Sequence, residues 1–289
     1  MEGKRAASHA GSWYSGSKSQ LNSQLEDWLA QAESTQPPAK AIIGPHAGFS
    51  YSGPTAAWAY KHVSSGNFKR VFLLGPSHHV YIPGCALPCS AEYQTPIGDI
   101  SVDLETARTL SETGKFYQLD KDAEEDEHSL EMHLPYIRKA FEGKEIKLVP
   151  IMVGNLKESQ EAEYGSILAP YLQDPQTLFV VSSDFCHWGP RFGYNPYDSS
   201  KGEIWQSIEA MDREGMALIE SQDPASFRQY LSQTKNTICG RHPISLFLST
   251  LQTSGLSAST KFVRYAQSEK VTNPRGSSVS YASSVTYLN

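Results

Sequence analysis

The chain has 289 residues, enough to bury a full core, and 39% of them are hydrophobic. Its formal charge is −6, from 25 basic and 31 acidic residues, and these are interspersed, so it lacks the basic stripe that a nucleic-acid backbone requires. No apolar run approaches the roughly 18 residues that span a bilayer, Met1 to Arg5 lead into no apolar signal segment, and Cys85, Cys89, Cys186 and Cys239 are not spaced as Cys-x-x-Cys pairs, which suits reduced thiols in the cytoplasm.

In chain order, Ser17 or Ser19 can cap a first helix whose Leu21, Leu25, Trp28 and Leu29 share an apolar face. Pro37 and Pro38 stop it and lead into a strand at residues 40–44. Residues 48–53 read as a loop, after which Pro54 opens a helix reaching about residue 63. A second strand spans residues 70–75. Residues 85–102, broken by Pro88, Pro96 and Gly98, read as an irregular antiparallel excursion.

A helix over residues 104–112 follows, and then the acidic run 120–127 precedes a helix over 129–141, where its charge suits the N-terminal dipole. A strand (146–153), a helix (157–172) and a strand (177–182) come next. Helices over 202–220, 224–231 and 243–251 precede two closing strands over 261–265 and 278–286. The alternation predicts an α/β fold, a three-layer αβα arrangement around a largely parallel sheet with some antiparallel strands. With no linker or repeat to divide it, the chain reads as a single domain over residues 1–289.

Three of the apolar strands run into loops that carry chemistry. The first leads to His46, the second to His78 and His79, and the third to Asp184, Cys186 and His187. Open α/β sheets bind ligands just outside the carboxyl ends of their strands. Imidazole, carboxylate and thiolate together form the donor set of a transition-metal site. His46 and His78 are therefore the leading ligand candidates, with His79 as the rival to His78, since neighbouring side chains on extended backbone point in opposite directions. Asp184 and His187, three apart, share a face if the chain turns helically there, and can ligate, orient a ligand or act as an acid/base pair.

Other motifs are weaker. Cys239 can be a thiolate ligand, a nucleophile activated by His242, or a small buried hydrophobe, and its spacing alone assigns no role. His128 and His133 are five apart, which excludes the helical His-Glu-x-x-His zinc motif, while His128 and Glu131 share a helical face and can line the pocket together. Arg241 and His242 can receive an anion. No Gly-x-Ser-x-Gly elbow, dinucleotide fingerprint or P-loop is present, which argues against a serine hydrolase and against a nucleotide cofactor.

Six motifs carry a resemblance to a known family: residues 8–14 (Ser-His-Ala-Gly-Ser-Trp-Tyr), 45–49 (Pro-His-Ala-Gly-Phe), 75–79 (Gly-Pro-Ser-His-His), 126–135 (Asp-Glu-His-Ser-Leu-Glu-Met-His-Leu-Pro), 182–189 (Ser-Ser-Asp-Phe-Cys-His-Trp-Gly) and 239–243 (Cys-Gly-Arg-His-Pro). They look like the Memo family, mediators of receptor-tyrosine-kinase-driven cell motility. That family is similar in fold to the class III extradiol dioxygenases, which hold Fe(II) with two histidines and a carboxylate.

The resemblance implies that His46 and His78 are the histidine ligands, with Cys239 in the place of the carboxylate. Thiolate for carboxylate softens the site and favours copper as well as iron, one ion per chain. It further implies His187 as a pocket acid/base with Asp184 beside it, and His79, His128, Glu131, Arg241 and His242 around the pocket. The implied protein acts in the cytoplasm and nucleus, in redox signalling, metal homeostasis and cytoskeletal control. Its pocket takes phosphotyrosine peptides of receptors or adaptors, or a small anionic or aromatic ligand. The readings rank as a metal redox protein that reduces O₂ to superoxide, a non-catalytic phosphotyrosine adaptor, and a true dioxygenase.

Overall fold

A computed structural model describes residues 1–34, 36, 38–63 and 66–289. Five strands run parallel at its centre, in the order Ile100–Val102, Lys147–Val153, Arg70–Pro76, Thr177–Ser182 and Ala41–Gly44. Ser278–Leu288 then adds antiparallel to Ala41–Gly44, and Ala258–Gln267 pairs antiparallel with it. On the opposite flank Glu92–Tyr93 and Cys85–Leu87 supply short antiparallel pairings, so the excursion expected over 85–102 is present. Among the described residues the sheet holds twelve strands.

Successive side chains on a strand point to opposite faces, and this alternation divides the core in two. Ile42, Val71, Leu73, Leu178 and Val180 pack against Leu21 and Leu25 of the helix Lys18–Gln31, Ala57 and Tyr60 of Phe49–Lys61, and Tyr136 of Leu134–Ala140. Ile43, Phe72, Leu74, Val149, Ile151, Phe179 and Val181 face the other way. They meet Leu168 of Glu158–Gln173, Ile219 of Ile204–Glu220, Phe227 of Pro224–Thr234 and Ile244 of Arg241–Ser254. The chain is thus a mixed α/β protein with helices on both faces of a mostly parallel sheet. Among the described residues no helix is long and apolar enough to cross a membrane.

Ser17 caps the first helix, as its hydroxyl implies, and accepts from the Gln20 backbone N–H. The stop assigned to Pro37 lies outside the described residues. Two expectations are corrected. Residues 49–53 are helical, not a loop, so Pro54 sits inside the helix Phe49–Lys61. Its missing N–H strands only the carbonyl of Ser50, which is exposed and can bond to water. The glycine that suggested a loop serves packing instead: a Cβ on Gly53 would lie 2.4 Å from the Trp28 ring.

The helix expected over 129–141 is also broken. Lys121–Asp126, His128–Glu131 and Leu134–Ala140 are three short pieces. Asp120 caps the first piece by accepting from Ala123 N–H. Glu127 is extended, at φ −80° and ψ 122°, and caps the second by accepting from Ser129 N–H at 2.9 Å. The short middle turn is what reaches the site.

Candidate metal centre

Strand register brings the loops together. Gly44 pairs with Ser182 and Leu74 with Val181, so the carboxyl ends of three adjacent strands finish at one level. Gly75 lets the turn His128–Glu131 close on that edge, since a Cβ there would lie 2.7 Å from Leu130 and 2.8 Å from Ser129 Oγ. From the far side of the fold, the N-terminal end of the helix Arg241–Ser254 delivers Cys239. Gly240 permits this approach, because a Cβ would lie 2.3 Å from Ser183 Cβ and 2.4 Å from the Ser182 carbonyl.

Two overlapping sets of donors result, with His46 in both. His46, His78 and His128 each offer a ring nitrogen within 4.8 Å of the others, and so do the donor atoms of His46, Asp184 and Cys239. His46 Nε2 lies 3.2 Å from Cys239 Sγ and 3.9 Å from Asp184 Oδ2. The ring centroids of His46 and His78 are 5.2 Å apart.

Hydrogen bonds fix which nitrogen each ring presents. Ser182 donates its hydroxyl hydrogen to the Ser129 carbonyl at 2.8 Å, so it accepts from His46 Nδ1 at 2.7 Å. That leaves the Nε2 lone pair facing Cys239. His78 Nδ1 donates to Glu127 Oε1 at 2.8 Å, and the other oxygen of Glu127 accepts the His78 backbone N–H at 2.6 Å. Burial works against the Glu127 charge, yet the His78 contacts and the charge of His128 hold its carboxyl at about 2. His187 Nδ1 donates to the carbonyls of Phe185 at 2.9 Å and Thr237 at 3.2 Å, again leaving Nε2 free. Pinning one imidazole nitrogen so that the other can ligate is the usual arrangement around metal-bound histidine.

Burial, and then the neighbouring His78, push the His46 pKa well below the imidazole range, so its ring is neutral. His128 is lowered to about 4, mainly by burial. Burial raises the Asp184 carboxyl, against the pull of His187 and of the two backbone N–H groups, of His46 and Ala47, that donate to it. The Cys239 thiol is pushed far up by burial and by the Asp184 charge.

A model of the family described as Memo-like protein matches residues 5–285. The chain belongs to the Memo family. It is 52% identical over 283 residues to Protein MEMO1 of Homo sapiens, covering 96% of this chain and 95% of that protein. Protein MEMO1 of Danio rerio is equally similar, at 52% over 283 residues with the same coverage of 96% and 95%. The Protein memo-1 homolog of Caenorhabditis elegans is 46% identical over 293 residues, covering 100% of this chain and 84% of that protein. Among solved structures, an uncharacterized protein from Escherichia coli K12 matches at 14% identity with a TM-score of 0.47, over 84% of this chain and 98% of that chain.

In this family member a cavity of about 580 Å³ opens over the centre. His46, His78, His128, Asp184 and His187 line it, together with Trp13, Tyr51, Arg191, Phe192, Glu269 and Tyr281. Of the expected pocket residues, four lie elsewhere. His79 is exposed and does not line the cavity, although its ring centroid lies 6.1 Å from that of His128; the chain bends at 78–80 instead of continuing as extended backbone. Glu131 is fully buried and does not line the cavity with His128: it binds Arg5 at 2.7 Å, His9 Nδ1 at 2.8 Å and the Tyr14 hydroxyl at 2.7 Å. It thereby pins the N-terminal segment that carries Trp13 onto the His128 ring, at a centroid distance of 4.4 Å.

Arg241 and His242 line a separate cavity with Leu156, Arg228 and Lys235, on the other side of the Cys239 loop. His242 Nδ1 accepts the Leu156 N–H at 3.4 Å, and among the described residues no hydrogen bond joins it to Cys239. Glu127, Ser182, Trp13 and Arg191 were not singled out as site residues. The first two act through hydrogen bonds to histidines distant in sequence, a relationship that no local spacing encodes.

Proposed function

We propose that this Memo-family chain binds one iron or copper ion through His46, His78 and Cys239 and acts as an intracellular redox protein, in redox signalling, metal homeostasis and cytoskeletal control. One observation carries the reading: His46 and His78 each have Nδ1 committed to a fixed acceptor, which leaves Nε2 of both rings available, and that of His46 lies 3.2 Å from the Cys239 thiol. The donor set fits the group, since imidazole suits iron and copper and thiolate selects for Cu(I). Such an ion supplies a one-electron couple.

The chain's own residues build the surroundings. Ser182 and Glu127 orient the two rings. Asp184 holds the His46 loop through two backbone N–H groups. His187 directs Nε2 into the cavity, where it can pass a proton to a ligand, and Trp13 covers His128. Within this reading residues 1–289 work as one domain in the cytoplasm, and dioxygenase chemistry on an aromatic substrate is a special case of it.

The test is anaerobic loading with Fe(II) or Cu(I), comparing wild type with His46→Ala, His78→Ala and Cys239→Ala. The expected result is one ion per wild-type chain and at least about tenfold weaker binding in each variant. A wild type that takes up no metal, or variants that bind as well, would overturn it. A second reading, an adaptor for phosphotyrosine peptides, is favoured by Arg191 on the cavity wall. It requires metal-free protein to bind such a peptide and Arg191→Ala to lose it.

A further inference from the structure

We infer that the separate cavity behind the Cys239 loop, lined by Lys235, Arg241, His242 and Ser245, is a binding site for a small phosphate monoester. The site is independent of the metal reading, since none of these residues lines the larger cavity.

The cavity has a volume of about 470 Å³, room for a small organic molecule. Three cations on its wall, Arg228, Lys235 and Arg241, face two carboxylates, Glu158 and Glu161, which leaves a positive balance on a chain that is acidic as a whole. Arg228 takes both carboxylates, Glu158 at 2.6 Å and Glu161 at 2.9 Å. Lys235 and Arg241 have no acidic partner among the described residues, and the Arg241 guanidinium makes only a long hydrogen bond, of 3.4 Å, to the Ile238 carbonyl. Two such cations suit a dianion, and a phosphate monoester carries about −1.5 to −2 at neutral pH.

Neutral donors complete the set. His242 Nδ1 accepts the Leu156 N–H, so the ring hydrogen sits on Nε2, which has no acceptor among the described residues. Ser245 is only 1% exposed, yet it lines the cavity with a hydroxyl that has no hydrogen-bond partner among the described residues. Buried hydroxyls are ordinarily bonded, so this one is available to a ligand. The helix Arg241–Ser254 also begins here, with no side-chain cap at Gly240, and the positive end of its dipole favours an anion. Leu156 and Leu231 give the cavity an apolar wall, which suits the organic part of an ester better than a bare ion.

The test is isothermal titration of the full chain with glycerol 3-phosphate, before and after chelator treatment, with succinate as the carboxylate comparison. The expected result is saturable one-to-one binding of the ester, unchanged by the chelator and tighter than that of succinate. Arg241→Gln and Ser245→Ala are each expected to weaken it by about tenfold, the worth of a hydrogen bond to a charged group. Arg191→Ala, in the larger cavity, leaves it unchanged. Circular dichroism and thermal melting check each variant; Arg241 is exposed and alanine favours the helix at 245, so both should fold. Absence of binding at millimolar ester, or full affinity in either Arg241→Gln or Ser245→Ala, would overturn the inference. So would binding lost with the chelator or with Arg191→Ala, which places the ester over the metal centre, or succinate bound as tightly, which makes the site one for carboxylates.

Discussion

His46 Nε2 and Cys239 Sγ lie 3.2 Å apart across 193 residues of chain. His46 follows a strand at the centre of the sheet, and Cys239 precedes a helix packed on one face of it. Their meeting defines the centre, and it depends on close backbone approach at the helix start and on hydrogen bonds that aim the rings.

Gly240→Ala tests the approach. The added methyl would lie 2.3 Å from Ser183 Cβ and 2.4 Å from the Ser182 carbonyl, and backbone cannot step aside as a flexible side chain can. The variant should lose about 1–3 kcal/mol of stability, as overpacked sites do. Its Cys239 loop should also withdraw from the strand end. Urea unfolding reads the first effect, and faster alkylation of Cys239 in the native protein reads the second.

Glu127→Gln tests the aim of His78. The amide keeps the shape of the side chain but weakens the acceptor that pins Nδ1 at 2.8 Å. Iron or copper affinity should fall by about 10–100-fold. Competition with a chelator of known affinity measures it. Unchanged affinity would show that His78 needs no such partner.

Arg5 and Glu131 test how the N-terminal segment is fastened. Their ion pair is buried on both sides, at 2.7 Å, and Arg5 also donates to the backbone carbonyls of Glu124 and Glu127. Arg5→Ala leaves the Glu131 carboxylate with less compensation and should cost about 3–5 kcal/mol at neutral pH. Chemical denaturation gives the value directly, and tryptophan fluorescence should report the release of Trp13.

The same carboxylate sets an acid limit. Burial opposes its charge, but the His9 hydrogen bond, the Arg5 charge and the Tyr14 hydroxyl hold it at about 2, against an ordinary 4.5. The unfolded chain therefore takes up this proton first as pH falls. The contribution is complete above about pH 4.5 and is lost as pH drops towards 2. Urea midpoints measured from pH 6 down to 2.5 should fall more steeply for wild type than for Glu131→Gln, and equal slopes would exclude Glu131 as a source.

Much of the scaffold was legible in residue order. The continuous apolar runs at 41–44, 70–76 and 177–182 are strands buried on both faces, and helix 104–112 falls where its pattern places it. Because ligands gather at the carboxyl ends of such strands, the same reading pointed to His46, His78 and Asp184. Residues 49–53 were misread, since glycine and proline signal a turn locally whereas here Gly53 makes room for Trp28. The helix over 129–141 was misread because Glu127 caps a short turn, and a periodic pattern does not display that interruption.

The sequence by itself determined the strands, the helices and the chemical types available at the strand ends, because periodicity, capping and turn chemistry act over a few residues. Only the tertiary structure decided which groups share a centre. It placed His78 in the cavity wall and left His79 off it, placed His128 in the cavity but Glu131 beneath the N-terminal segment, and separated Arg241 and His242 from Cys239. Those outcomes rest on sheet register, on close contacts at Gly75 and Gly240, and on hydrogen bonds between residues far apart in the chain, none of which acts until the layers have packed.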